Sequence, residues 1–161
     1  ELAKTRIAAG STTARAAIGD VAGRVVSVVS RTPSGSALSW ELDIPPGTDA
    51  VIDPDDLAEA LGNLVENAAR HARAKIRLAA VPRQGPEGEM MRLSVEDDGP
   101  GIPEDHLEGI LSRGVRLDRS PAGTGLGLSI VQDIADVWGG RLELETGTGG
   151  LKAHVWLKTA E

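Results

Sequence analysis

The chain has 161 residues, a net charge of −7, no cysteine, no phenylalanine or tyrosine, and three tryptophans. That length suits one domain with a sizeable core. The composition excludes disulfides and thiolate metal sites, disfavours nucleic acid as a partner, and offers no run of about 18 apolar residues to span a membrane. No signal-peptide pattern opens the chain, and its first residue is Glu1 rather than Met, as expected of a piece of a longer protein.

Residues 1–13 are poor in apolar side chains and end in a Gly-Ser-Thr-Thr break, so Leu2, Arg6 and Ile7 read as the end of an upstream helix or linker. Ala14 to Ile18 reads as a short strand. Gly19 to Ser30, with Val21, Val25, Val26, Val28 and Val29, reads as a helix, although valine suits a strand equally well. Pro33 and Gly35 mark a turn. Leu38, Trp40, Leu42 and Ile44 alternate as in a strand, which Pro45-Pro46-Gly47 stops, and Asp49 to Ile52 reads as another short strand.

The next stretch, residues 53–73, carries the strongest helix signals. Asp53 is a good N-cap, Pro54 suits the first helical position, and Asp55 and Asp56 put negative charge in the first turn. Leu57, Ala60, Leu61, Leu64, Val65 and Ala68 recur at helical spacing and should face a core. Glu59, Asn63, Asn67 and Arg70 line up on the other side. Asparagine competes with backbone partners in a helix interior, so two of them one turn apart call for a reason. One reading is a solvated polar face; the other is a row of neutral oxygens and a cation turned toward a metal-bound phosphate.

Beyond it, Lys75 to Val81 and Met90 to Glu96 alternate as the strands of a hairpin, with Pro82 to Gly88 as a polar loop. Asp97-Asp98-Gly99-Pro100-Gly101 ends the second strand. Residues 102–124 are broken by Gly and Pro, with a short helix expected near Glu104 to Leu111; such a long irregular segment reads as a lid or binding loop. Gly125 to Trp138 is a second good helix, stopped by Gly139-Gly140, and Arg141 to Thr146 with Leu151 to Lys158 make a final hairpin. The sum predicts an α+β fold: a two-layer sandwich, with a mixed sheet of about five or more strands and helices on one face. The other face is left to solvent or another domain.

Three stretches carry chemistry. In Asn63-Leu-Val-Glu-Asn67-Ala-Ala-Arg70-His71 the amides and the cation share a face. In Asp97-x-Gly99-x-Gly101 a carboxylate stands at a strand end, with glycines that let a flat ligand approach the backbone. One carboxylate suits a hydrogen bond from an amine, such as that of adenine, and is too sparse for a metal cage. In Gly123-Thr-Gly-Leu-Gly-Leu128 a glycine-rich helix start frees backbone N–H groups for an anion. A loop precedes it, unlike the dinucleotide fingerprint, and no Gly-Lys-Ser/Thr follows, unlike a P-loop.

Together and in this order, the three resemble the N box and the first and second glycine boxes of the GHKL superfamily. Over roughly residues 14–158 the chain resembles the catalytic ATP-binding (HATPase, Bergerat-fold) domain of a bacterial sensor histidine kinase, and is most like kinases of the PhoQ type. The resemblance implies Mg²⁺ and ATP as cofactors. It implies that Asn67 coordinates Mg²⁺, that Asn63 helps hold metal or phosphate, and that Arg70 contacts phosphate. His71, where tyrosine is common, would lie beside adenine or ribose. Asp97 would accept from the adenine amine, with Gly99, Gly101 and Ile102 shaping that pocket. Gly123, Thr124, Gly125, Leu126, Gly127 and Leu128 would meet the phosphates at the helix start. Residues 102–124 would be the lid, with Arg113 and Arg116 available to phosphate; Ile110 and Leu111 stand where the family usually has phenylalanine. Asn63, Glu66 and Asn67 are the catalytic group, with Glu66 about 100° away from Asn67 on the helix.

On this reading residues 14–161 form the catalytic domain. It donates the γ-phosphate to a histidine on a separate dimerisation domain of the same homodimeric protein, from which it passes to a response regulator. No phosphoacceptor histidine motif is present: His71, His106 and His154 are all out of context. The expected setting is the cytoplasmic portion of a membrane sensor, itself a phosphoprotein, and no nucleic acid is involved. The alternatives are a GHKL ATPase or anti-sigma-factor serine kinase, which have a glutamate where Asn63 stands, or a degenerate nucleotide-binding module.

Overall fold

A computed structural model describes residues 14–85, 88–101, 124–147 and 149–160. Within them the elements are β1 (Ala16–Ala17), α1 (Ile18–Val29), β2 (Ser39–Asp43), β3 (Asp49–Ala50), α2 (Pro54–His71), β4 (Lys75–Gly85), β5 (Gly88–Asp97), α3 (Thr124–Val137), β6 (Arg141–Gly147) and β7 (Gly150–Lys158). Residues 1–13 and 102–123, which hold all of the expected 102–124 lid but Thr124 and include Ile102, His106, Arg113, Arg116 and Gly123, lie outside the described residues.

α2 forms for the reasons its sequence gives. The Asp53 carboxylate accepts from the backbone N–H groups of Asp55 at 2.8 Å and Asp56 at 3.3 Å, capping donors that the helix itself leaves unpaired. Leu57, Ala60, Leu61, Leu64, Val65 and Ala68 are all buried. Full burial of each large aliphatic side chain contributes about 1.5–3 kcal/mol. α1 has no side-chain cap, and is instead anchored by the Ile18 N–H donating to the Thr48 carbonyl at 2.9 Å.

The main sheet has the strand order β2-β4-β5-β7-β6, parallel between β2 and β4 and antiparallel elsewhere, while β1 pairs with β3 in a separate ribbon. The strands alternate as a half-buried sheet requires. Ile76, Leu78, Leu93, Val95, Ala153, Val155 and Leu157 turn to the helices and are buried with them in one core. The predicted α+β sandwich is therefore the observed one. The β4–β5 hairpin runs further than the alternation suggested: Pro82 pairs with Met91 and the ladder continues to Gly85 opposite Gly88. Proline is tolerated there because β2 reaches along β4 only to Ala79, so Pro82 lies where β4 has become an edge.

The second face of the sheet carries charge. In register across β2, β4, β5, β7 and β6 stand Glu41, Arg77, Glu96, Lys152 and Glu145, alternating in sign. Arg77 pairs with Asp43 at 2.6 Å, Glu41 at 3.4 Å and Glu96 at 3.5 Å. His154 is buried on this face. Its Nε2–H donates to Glu145 Oε1 at 3.0 Å, and its Nδ1 lies 2.7 Å from Ser94 Oγ.

One buried polar contact joins the two helices that flank the candidate site. The Trp138 indole N–H, just beyond α3, donates to Asp56 Oδ2 in the first turn of α2 at 2.9 Å, with both residues buried. Trp138→Phe keeps most of the packing and deletes this donor. We expect a loss of about 1–3 kcal/mol in urea unfolding with an unchanged m-value.

Candidate functional site

At one end of the candidate site α2 meets α3. Asn63 donates its Nδ2–H to the Glu59 carbonyl one turn back, at 2.8 Å, which fixes the amide and leaves Oδ1 on the α3 side. There a Cβ added to Gly127 would lie 3.2 Å from Asn63 Oδ1, so the glycine is what lets the first turn of α3 come this close. Thr124, Gly125 and Leu126 fall in that turn, and Leu128 anchors it in the core. The N box and the second glycine box thus come together, as the resemblance requires.

Asn67 sits one turn further along α2 and is only 6% exposed. It is not part of a solvated polar face. Among the described residues its side-chain amide makes no hydrogen bond, although a buried amide ordinarily has partners. A hard cation that takes oxygen ligands fits such a group. No cluster of three or more His, Cys, Asp or Glu that could hold a metal exists among the described residues. A metal here would rely on amide oxygen and on oxygens of its own ligand.

Glu66 and Arg70 lie on the flank of α2 that faces α1. They line a cavity of about 240 Å³ with Val29, Thr32, Ser34 and Ala69. Three of the four aligned positions therefore differ in the neighbours they meet: Asn63 adjoins α3, Asn67 is buried, and Arg70 borders α1. At the C-terminal end of α2, His71 Nδ1–H donates to the Asn67 carbonyl at 2.8 Å. In the neutral ring this tautomer leaves Nε2 as an acceptor.

The other end of the site is the turn after β5. Asp97 is buried, and its Oδ1 accepts from the Gly99 N–H at 2.8 Å. Burial pushes its pKa up, against the backbone N–H groups of Gly99 and Leu151 and the nearby His71, while the charge of Asp98 adds to the rise. A side chain at Gly99 would run into the His71 carbonyl, so glycine is needed where the turn crosses the end of α2. Gly101 closes the turn at φ 78°, in the left-handed region.

Asp98 does different work from its neighbour. Its Oδ1 accepts from the backbone N–H groups of Arg73 at 2.7 Å and Ala74 at 3.0 Å, tying the turn to the entry of β4. Those donors, led by Ala74, hold its pKa below the ordinary value. Sequence reasoning missed this role, and also that of Gly150 and Leu151, which reach Asp97 from β7. The only local signal for them was the Gly149-Gly150 pair in the last turn.

Comparison with known proteins agrees with this geometry. The model of the histidine kinase-, DNA gyrase B- and HSP90-like ATPases matches residues 52–161. The sensor protein kinase CarS of Pseudomonas aeruginosa is 46% identical over 121 residues, covering 74% of this chain and 26% of that protein. The sensor protein PhoQ of Escherichia coli K12 is 31% identical over 132 residues, covering 81% of this chain and 26% of that protein. The chain therefore spans about a quarter of the length of these curated relatives. Among solved structures, the mycobacterial sensor histidine kinase MprB superposes with a TM-score of 0.73 at 25% identity, covering 90% of this chain and 96% of that one. The ATP-binding domain of PrrB from Mycobacterium tuberculosis does so with a TM-score of 0.71 at 25% identity, covering 92% and 98%. With its three motifs gathered at the ends of α2, β5 and α3, the chain belongs to the histidine kinase-, DNA gyrase B- and HSP90-like ATPase family, as an ATP-binding domain of the sensor histidine kinase type.

Proposed function

We propose that this domain holds Mg·ATP and donates the γ-phosphate to a histidine on a dimerisation domain of the same full-length protein, from which it passes to an aspartate of a response regulator. The observation that carries the reading is the convergence of Asn63, midway along α2, with Gly127 at one end of the site, and the buried carboxylate of Asp97 beside the C-terminal end of α2 at the other. A nucleotide needs both ends: backbone donors and neutral oxygens for the phosphates, and an acceptor for the adenine amine. Asn67 is the proposed magnesium ligand, and the bound ion would neutralise charge on the phosphates. Asn63, Arg70 and the first turn of α3 hold phosphate oxygens. His71 Nε2 accepts from ribose or from metal-bound water. Glu66, exposed and next to Asn67 in sequence, is available to the proton of the incoming histidine.

The amide at position 63 favours a kinase over a hydrolase. An amide cannot take a proton from an attacking water, and Asn63 already spends its Nδ2–H on the Glu59 carbonyl. Among the described residues no helix is long and apolar enough to cross a membrane. We place this domain on the cytoplasmic side of a membrane sensor, where ATP is available.

Two experiments test the proposal. Incubation with γ-labelled ATP and a supplied histidine-bearing helical domain should label that domain and not this chain; label appearing only as free phosphate would favour the hydrolase. Gly127→Ala should lower Mg·ATP affinity about tenfold, because the new methyl group crowds Asn63, while thermal stability holds or rises by up to about 1 kcal/mol from helix propensity. Unchanged affinity by calorimetry would remove Gly127 from the site.

A further inference from the structure

The two ends of the candidate site stand on different elements, and one side chain joins them. Asn63 and Asn67 belong to α2, while Asp97 ends β5. α2 stops at His71, and the chain reaches β4 at Lys75 through Ala72, Arg73 and Ala74. The β4–β5 register pairs Ile76 with Asp97 and so brings this link beside the turn. The Asp98 carboxylate then grips it. Its Oδ1 accepts from the Arg73 N–H at 2.7 Å and the Ala74 N–H at 3.0 Å, and its Oδ2 lies 3.2 Å from the Ala74 nitrogen. From the other side the Ser39 N–H donates to the Ala74 carbonyl at 2.7 Å. Next to this staple the turn meets the helix end directly, since a Cβ at Gly99 would run into the His71 carbonyl. Asp98 is the unspecified position of Asp97-x-Gly99, so the motif itself says nothing of it.

We propose that Asp98 is a positioning residue for the nucleotide: its carboxylate staples the turn that carries the adenine acceptor to the exit of α2, and so sets the spacing between Asp97 and the metal and phosphate groups on that helix. The inference rests on the nucleotide-binding reading above. ATP has two recognised ends joined by a ribose. Once one end is bound, the other meets its subsite at a high effective concentration, provided the two subsites lie at the span of the molecule. Preorganised spacing therefore adds affinity without adding a contact. Asp98 needs no contact with the nucleotide to act, because both of its oxygens meet the link between α2 and β4. Without the carboxylate, the Arg73 and Ala74 N–H groups turn to water at an exposed position, the turn keeps Asp97, and α2 keeps Asn63 and Asn67. What is lost is their fixed separation. The loss falls on ATP as a whole and spares its halves.

The test compares wild type with Asp98→Ala and Asp98→Asn. The probes are a non-hydrolysable ATP analogue with Mg²⁺, titrated by calorimetry, and adenosine and magnesium tripolyphosphate, titrated by NMR. Asp98→Ala should bind the ATP analogue about tenfold more weakly than wild type, with both half-ligands within about twofold. Asp98→Asn, whose amide oxygen can accept from the same two N–H groups, should recover most of the loss. A matching loss for adenosine would mean that the turn itself has collapsed, a merely structural role, and would overturn the proposal. So would full ATP affinity in Asp98→Ala, or an Asp98→Asn as weak as Asp98→Ala. Should the alanine variant not fold, Asp98→Glu decides. It keeps the charge and lengthens the staple by one methylene, so it should weaken the ATP analogue and spare adenosine; wild-type affinity there would overturn the proposal. Wild type that binds none of the probes would overturn the nucleotide reading, and this proposal with it. Wild type that binds them, with variants no different, would overturn this proposal alone.

Discussion

Asn67→Ala will abolish magnesium-dependent nucleotide binding and leave the domain as stable as before, or more so. The two halves of that result have different causes. Asn67 is buried on α2, and its amide makes no hydrogen bond among the described residues, so truncation strands no partner there. Alanine is also the better helix former by roughly 0.5–0.7 kcal/mol. The fold therefore gains little from asparagine at this position. Losing a direct ligand should cost at least as much as losing an outer-shell partner, which is roughly 10–100-fold in metal affinity. Titration with nucleotide, with and without Mg²⁺, should show the difference between the two conditions collapse. A thermal melt of the same sample should show no drop.

Asp97→Asn should produce the second largest effect, on selectivity. The replacement keeps the shape and one acceptor oxygen for the Gly99 N–H, and removes the charge. A hydrogen bond to a charged acceptor contributes about 1.5–3 kcal/mol, so ATP affinity should fall roughly 10–150-fold. Discrimination against guanine should shrink, because an amide can present a donor as readily as an acceptor. The pH dependence has a definite sign. Burial raises the folded-state pKa of Asp97 above its ordinary 3.8, so the native state binds a proton more readily than the unfolded chain. Burying the ionised form therefore costs stability above the raised value, and stability is regained as the pH falls through it. Nucleotide binding runs the other way, weakening as the carboxylate protonates. The Asn variant should lack both trends, with a flat acid limb in its affinity and no stability penalty from this group at neutral pH. Unchanged discrimination between adenine and guanine nucleotides would remove Asp97 from the base pocket.

What could be read from the sequence was local. The Asp53 cap, the aliphatic stripe of α2 and the hairpin alternation depend on neighbours within a few residues, and the structure repeats them. The three motifs were legible because each is a short run of residue types chosen for a ligand. The missing parts depend on distant partners. Asp98 serves Arg73 and Ala74, 25 and 24 residues away, and nothing beside Asp98 in the chain announces it. Gly150 is needed because of the Asp97 backbone on another strand, and Asp56 because of Trp138 beyond α3. What surrounds the polar side of α2 was not legible for the same reason. Helical periodicity put Asn67 and Arg70 on one face, but α1 and α3 pack on either flank, so that Asn67 is buried and Arg70 borders a cavity against α1.

The most direct test of the central claim is a calorimetric titration of this chain with a non-hydrolysable ATP analogue, with and without Mg²⁺. The account predicts saturable one-to-one binding that tightens with Mg²⁺ in wild type and loses that Mg²⁺ dependence in Asn67→Ala. Binding indifferent to Mg²⁺, or unaltered by Asn67→Ala, would contradict it.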